Sequence, residues 1–228
     1  MLHIAPSIMC ADLLHLGDQL TLIEQGGADW LHVDIMDGNF VPGFTFGASM
    51  VEQFQRWGTL PIEVHLMSNN PLVHMNDFLA VNCQTITIHI EATPDIYRCV
   101  ATIKRRGMRA GIALNPSTPL STLSEILPEI DQVVIMTVTP GFIGLPLIRS
   151  CLTKAGKLQQ LLRRRHLEHI KVVVDGGVKI HNIADIAALG VYGVVSGTGI
   201  FAEPDPAFAI QEMKRKSAAF YASDSSRV

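Results

Sequence analysis

Charge is scarce in this chain and neither sign dominates. Charged residues make up 17% of 228, with 18 Lys and Arg against 21 Asp and Glu, a net charge of -3. That balance leaves no basic footprint for nucleic acid and no polybasic signal for a membrane surface. A small molecule is the expected partner. Cysteine is sparse too. The four stand at 10, 83, 99 and 151, with no CxxC pair to hold a metal or run redox chemistry. A chain this long needs no staples, so reduced, buried thiols are expected. No apolar run approaches the ~18 residues of a membrane span. The opening MLHIAPSIMCADLL lacks a basic start and is interrupted by Asp12, so no secretory signal is expected and the cytoplasm is the expected compartment. What is abundant is apolar side chain, 48%, enough to fill a large core and exclude disorder for most of the chain.

Short β-rich apolar runs recur: 3–9, 30–36, 62–67, 85–91, 109–115, 132–138, 170–175 and 193–197. Their starts lie 23 to 38 residues apart, room for a loop and a helix but too long for hairpins. Leu13, Leu16, Leu20 and Ile23 have helical spacing behind Asp12 as N-cap, and Ile183, Ile186 and Ala187 repeat the pattern. A last helix is expected over 205–221. Eight strand-then-helix units predict an α/β fold, a single (β/α)8 barrel over 1–221, with 222–228 as a frayed tail. The competing doubly wound sheet would carry a dinucleotide fingerprint in its first turn, and SIMCADLL has no glycine there. RRRH (163–166) reads as solvated cations at a helix C-terminus.

A barrel gathers its active site at the C-terminal ends of the strands. Alternation then assigns the inward side chains. On the second strand Leu31, Val33 and Ile35 face the helices, while His32, Asp34 and Met36 face in. On the third, Glu63, His65 and Met67 face in; on the seventh, Val173 and Asp175. Two histidines and two aspartates thus converge on one mouth. Buried carboxylates need compensation, and a divalent cation supplies it. Mixed N/O ligation by His32, Asp34, His65 and Asp175 suits Zn²⁺, Fe²⁺, Mn²⁺ or Co²⁺ better than Ca²⁺ or Mg²⁺. An HxD pair alone would more often be a satisfied core residue; the four together are more specific. His89 also points inward and is a candidate supporting residue. The other histidines, His3, His15, His74, His166, His169 and His181, fall on helices, loops or strand starts.

Glycine clusters follow the last three strands: PGFIG (140–144), DGG (175–177) and SGTG (196–199). Backbone N–H groups after strands seven and eight hold phosphate in many barrels, and Thr198 adds a hydroxyl. The bland alternative is tight turns alone. No basic residue lies inside these segments, although Lys179 and Arg149 are near. Ser7 faces inward without a neighbouring base, which suits a substrate hydroxyl contact rather than a nucleophile.

IAPSIMCADLLHLG, LHVDIMDGNFVPGFTFG, VHLMSNNP, HIEA, LNPSTP, VVIMTVTPGFIG, VVVDGGV and VSGTGIF, spanning 4–201 in order, resemble the signature segments of the ribulose-phosphate 3-epimerase family. The resemblance implies a TIM barrel of the ribulose-phosphate-binding type that interconverts D-ribulose 5-phosphate and D-xylulose 5-phosphate. It implies one divalent ion on His32, Asp34, His65 and Asp175, with Asp34 and Asp175 as the two acid/base carboxylates. It places substrate against Ser7, His65, Asp175, the thioethers of Met36, Met67 and Met136, and the segments Gly141, Phe142, Ile143, Gly144, Gly176, Gly177, Gly197 and Thr198. A homo-oligomer, dimer or hexamer, is implied as well. The chain departs from the family where GFGGQ is replaced by GFIGLP and GSAIF by GTGIF. These departures also resemble the allulose-6-phosphate 3-epimerase branch, so a six-carbon substrate stays open.

Epimerisation at C3 needs a proton removed from one face and another delivered to the opposite face, which two carboxylates can do. Phosphate-binding barrel decarboxylases carry DxKxxD at a strand end; here the segment is Asp34-Ile35-Met36-Asp37, with no lysine. A non-catalytic sugar-phosphate-binding barrel would be expected to have lost a ligand, and none is lost.

Overall fold

The computed structural model describes residues 1–81 and 83–224. Eight parallel strands form one sheet: β1 His3–Pro6, β2 Leu31–Met36, β3 Ile62–Met67, β4 Thr85–His89, β5 Arg109–Leu114, β6 Gln132–Met136, β7 Lys171–Asp175 and β8 Gly193–Ser196. From β2 to β8 each strand pairs with its sequence neighbour, and β1 pairs with β8. The ring closes between β1 and β2 through a parallel bridge from Ser7 to His32. The molecule is a (β/α)8 barrel, as the spacing of the apolar runs predicts. No described helix is long and apolar enough to cross a membrane.

The helices are α1 Leu16–Gln25, α2 Ala48–Trp57, α3 Pro71–Leu79, α4 Ile96–Arg105, α5 Arg149–Arg164, α6 Ile183–Ala187, α7 Thr198–Phe201 and α8 Pro206–Asp224. Two local expectations change. Asp12 caps a 3₁₀ turn, Leu13–His15, through Leu14 N–H, and α1 begins only at Leu16. Between β5 and β6 there is no α-helix but two 3₁₀ turns, Leu120–Leu123 and Leu127–Glu129. Pro116, Pro119 and Pro128 fall in that connection, and proline removes the N–H an α-helix interior needs. Arg163 and Arg164 lie exposed in the last turn of α5, as solvated cations. The expected tail, 222–228, overlaps the end of α8; 225–228 lie outside the described residues.

Alternation divides the core into two layers. Leu31, Val33, Ile35, Ile62, Val64, Leu66, Val172 and Val174 pack outward against the helices. Ala5, Trp30, Ala113, Val134, Met136, Val173 and Val195 fill the interior. The four cysteines are free thiols; three are buried and Cys10 is half-buried at the mouth.

Candidate active site

The HxD spacing on β2 puts His32 and Asp34 on one face, and the β2–β3 register sets Asp34 beside His65. His65 Nδ1 lies 3.0 Å from Asp34 Oδ1, and His32 Nε2 lies 3.3 Å from both that oxygen and His65 Nδ1. Asp175 Oδ2, from the end of β7, is 3.8 Å from His32 Nε2 and 3.7 Å from His65 Nδ1. All four residues are buried, and their four donor atoms lie within 4.8 Å of one another. A tetrahedral ion with bonds of about 2.1 Å needs donors roughly 3.4 Å apart, so the spacing fits a divalent metal. Charge argues the same way. Among the described residues, the ion pairs of Asp34 and Asp175 are with His32 and His65 only, never with Lys or Arg. Two buried carboxylates without a fixed cation are costly, and an ion between them offsets that cost.

Above the quartet, at the C-terminal ends of the strands, opens a small cleft. Ser7, Asp34, Met36, Met67, Met136 and Asp175 line its floor; Gly141, Phe142, Ile143, Gly144, Gly176, Gly177, Gly197 and Thr198 line its rim. Gly176 and Gly177 have φ of 110° and 66°, a region open to glycine. A Cβ on Gly177 would also stand 2.6 Å from the backbone nitrogen of Leu147. Lys179 Nζ donates to Thr198 Oγ1 at 2.9 Å, which brings a cation to the rim.

The model of the ribulose-phosphate 3 epimerase family matches residues 3–201. The chain belongs to the ribulose-phosphate 3-epimerase family. It is 35% identical over 214 residues to the ribulose-phosphate 3-epimerase of Bacillus subtilis (strain 168), covering 94% of this chain and 99% of that one. Identity to the Escherichia coli (strain K12) ribulose-phosphate 3-epimerase is 38% over 216 residues, covering 94% and 96%. The barrel itself recurs in KGPDC from Streptococcus mutans (TM-score 0.70, 14% identity, 97% and 99% covered). It recurs again in 3-hexulose-6-phosphate synthase from Salmonella typhimurium (TM-score 0.69, 13% identity, 96% and 100% covered).

In this member of the ribulose-phosphate 3-epimerase family, every residue expected at the site is brought to the mouth, at two depths. His32 and His65 are fully buried beneath the cleft, so His65 does not line the open space. Arg149 does not line it either. Ser7 acquires a partner that one-dimensional reading did not supply: its Oγ donates to Asp34 Oδ2 at 2.5 Å. Thr45 Oγ1 donates to the Asp34 carbonyl at 2.5 Å, and Thr137 Oγ1 to the Asp175 carbonyl at 2.8 Å, bracing both strand ends. Met9 and Cys10 also line the cleft, unforeseen. Burial pushes the Cys10 thiol up to about 11, with Asp34 and Asp175 adding to it, so it stays protonated near neutrality.

The two carboxylates are driven apart. Burial, reinforced by Asp34, pushes Asp175 up to about 6 against the pull of His32. Burial acts upward on Asp34 as well, but His32 and His65 outweigh it and hold that carboxyl well below its usual range. Burial would lower His32, yet Asp34 and Glu63 hold it well above 6.5.

Proposed function

We propose that this protein is a metal-dependent 3-epimerase of ketose phosphates, interconverting D-ribulose 5-phosphate and D-xylulose 5-phosphate. One observation carries the reading: two carboxylates from different strands, held beside two imidazoles at the floor of a cleft rimmed by glycine N–H groups. His32, Asp34, His65 and Asp175 hold the ion, Zn²⁺ or Fe²⁺ by their chemistry, with Mn²⁺ or Co²⁺ as substitutes. A divalent ion bound there supplies Lewis-acid stabilisation of negative charge developing on the sugar's C2 oxygen.

Asp34 and Asp175 exchange protons with C3 on opposite faces, one as base while the other delivers. Met36, Met67 and Met136 surround the reacting carbon with apolar, polarizable surface that excludes water and offers no proton. The phosphate is held by the N–H groups at Gly176, Gly177, Gly197 and Thr198, with Lys179 behind Thr198. We also assign the protein to the cytoplasm, which its free thiols suit, and to a homo-oligomer, which would cover the exposed Leu13 and Leu14.

A coupled assay on D-ribulose 5-phosphate and D-allulose 6-phosphate side by side, with metal content measured on the same sample, tests this reading. Preferential turnover of the pentose phosphate with about one ion per chain is expected. Turnover of the hexose phosphate alone, or of neither with metal bound, would overturn it.

A further inference from the structure

A histidine can hold a metal only through a ring nitrogen that carries no proton, and its other nitrogen decides which one that is. The two imidazoles of the quartet are turned opposite ways. His32 presents Nε2 to the centre and has Nδ1 3.1 Å from Glu63 Oε2. Glu63 is buried and receives further donors: Trp30 Nε1 at 2.8 Å on the same oxygen, and Thr87 Oγ1 at 2.7 Å on the other. A carboxylate accepts and does not donate. With an ion at the centre, where Nε2 now faces Asp34 Oδ1, the one proton of His32 must therefore sit on Nδ1 against Glu63, leaving Nε2 bare.

His65 presents Nδ1 to the centre, and among the described residues the partner behind it is an imidazole rather than a carboxylate. Its Nε2 is 3.0 Å from Nε2 of His89, whose ring stacks on it at 5.0 Å between centroids. Two neutral imidazoles facing nitrogen to nitrogen are ambiguous, because either can donate. The ambiguity is removed one residue further out. His89 Nδ1 lies 3.2 Å from Glu91 Oε2. Glu91 in turn accepts from Asn115 N–H at 2.9 Å and from the Thr118 hydroxyl, which anchors it to the loop after β5. With an acceptor-only group at the outer end, the chain has one polarity. His89 donates from Nδ1 to Glu91 and accepts at Nε2, and His65 donates from Nε2, leaving Nδ1 bare.

We propose that Glu91, acting through His89, is a positioning residue that fixes the tautomer of His65, as Glu63 does directly for His32. The inference rests on reading the quartet as a divalent-ion site. Glu91 is neither a member of the quartet nor part of the cleft lining, and the side-chain hydrogen bond that leads from it toward the quartet is the one to His89. It stands two residues beyond His89, at the 3₁₀ turn Ile90–Ala92 that ends β4.

The test uses full-length protein, stripped with chelator and titrated with Zn²⁺ by calorimetry, together with ¹⁵N imidazole NMR of the zinc-loaded form. In the wild type, protons are expected on Nδ1 of His32, Nε2 of His65 and Nδ1 of His89. In Glu91→Gln, whose amide can donate to His89 and reverse the chain, zinc affinity should fall about 10–100-fold, the usual effect of losing such a partner. The melting temperature of the metal-free variant should stay close to that of the metal-free wild type. Equal zinc affinity in wild type and Glu91→Gln would overturn the inference while leaving the quartet intact. Wild-type protein that binds no zinc would overturn both. If the variant does not fold, the wild-type spectrum decides alone: a proton on Nε2 of His89 would contradict the polarity.

Discussion

Asp34 spends its two oxygens differently. Oδ1 faces the two histidines, and Oδ2 accepts the Ser7 hydroxyl. Among the described residues no hydroxyl donates to the Asp175 carboxylate, and burial pushes it up to about 6. Groups that only hold an ion tolerate a neutral oxygen donor in part, whereas groups that also carry a proton do not. Asp34→Asn and Asp175→Asn should therefore each lose roughly 10²–10⁴-fold in turnover, with metal content measured on each variant. Near-normal turnover by either, metal bound, would remove it from the proton path. At this scale alternation along β2, β3 and β7 made the quartet legible from residue types alone. The role of Glu63 was not legible. Its position facing inward could be read, but its donors come from Trp30, His32, Thr87 and Gln132, dispersed over more than a hundred residues and brought together only by the closed ring.

Elements were legible where one face is apolar, and less so at their ends. All eight strands lie within the apolar runs, because a strand buried on both faces leaves an almost continuous apolar signature. The fifth connection departs from the strand-then-helix pattern, because its prolines favour short 3₁₀ turns over an α-helix. Packing between β4 and β5 has its own constraint. A Cβ at Gly111 would collide with Thr87 Oγ1, and Thr87 is paired with Gly111 in register. Thr87 Oγ1 is also a donor to Glu63, so it cannot move aside without releasing that carboxylate. Gly111→Ala should cost about 1–3 kcal/mol by overpacking. For a chain of this size that is a fall of roughly 2–12 °C in melting temperature, measurable by calorimetry. An unchanged melting temperature would mean that β4 and β5 separate more easily than their register implies.

On the scale of the whole molecule, the barrel joins a floor of interior packing to a mouth where two carboxylates, two imidazoles and three glycine-rich turns meet. An ion that binds only the folded chain stabilises it by mass action, about 4 kcal/mol at a thousandfold excess over its dissociation constant. Chelation should therefore lower the melting temperature by roughly 10 °C and abolish turnover, with both restored by Zn²⁺. A chelated protein that keeps its full activity would refute the metal's role. The central claim, proton exchange at C3 between Asp34 and Asp175, is tested most directly by running D-ribulose 5-phosphate with the metal-loaded enzyme in D₂O and reading deuterium at C3 of the xylulose 5-phosphate by NMR. Two bases working on opposite faces predict product carrying deuterium from solvent at C3. Product that retains the substrate's own hydrogen at C3 would contradict it.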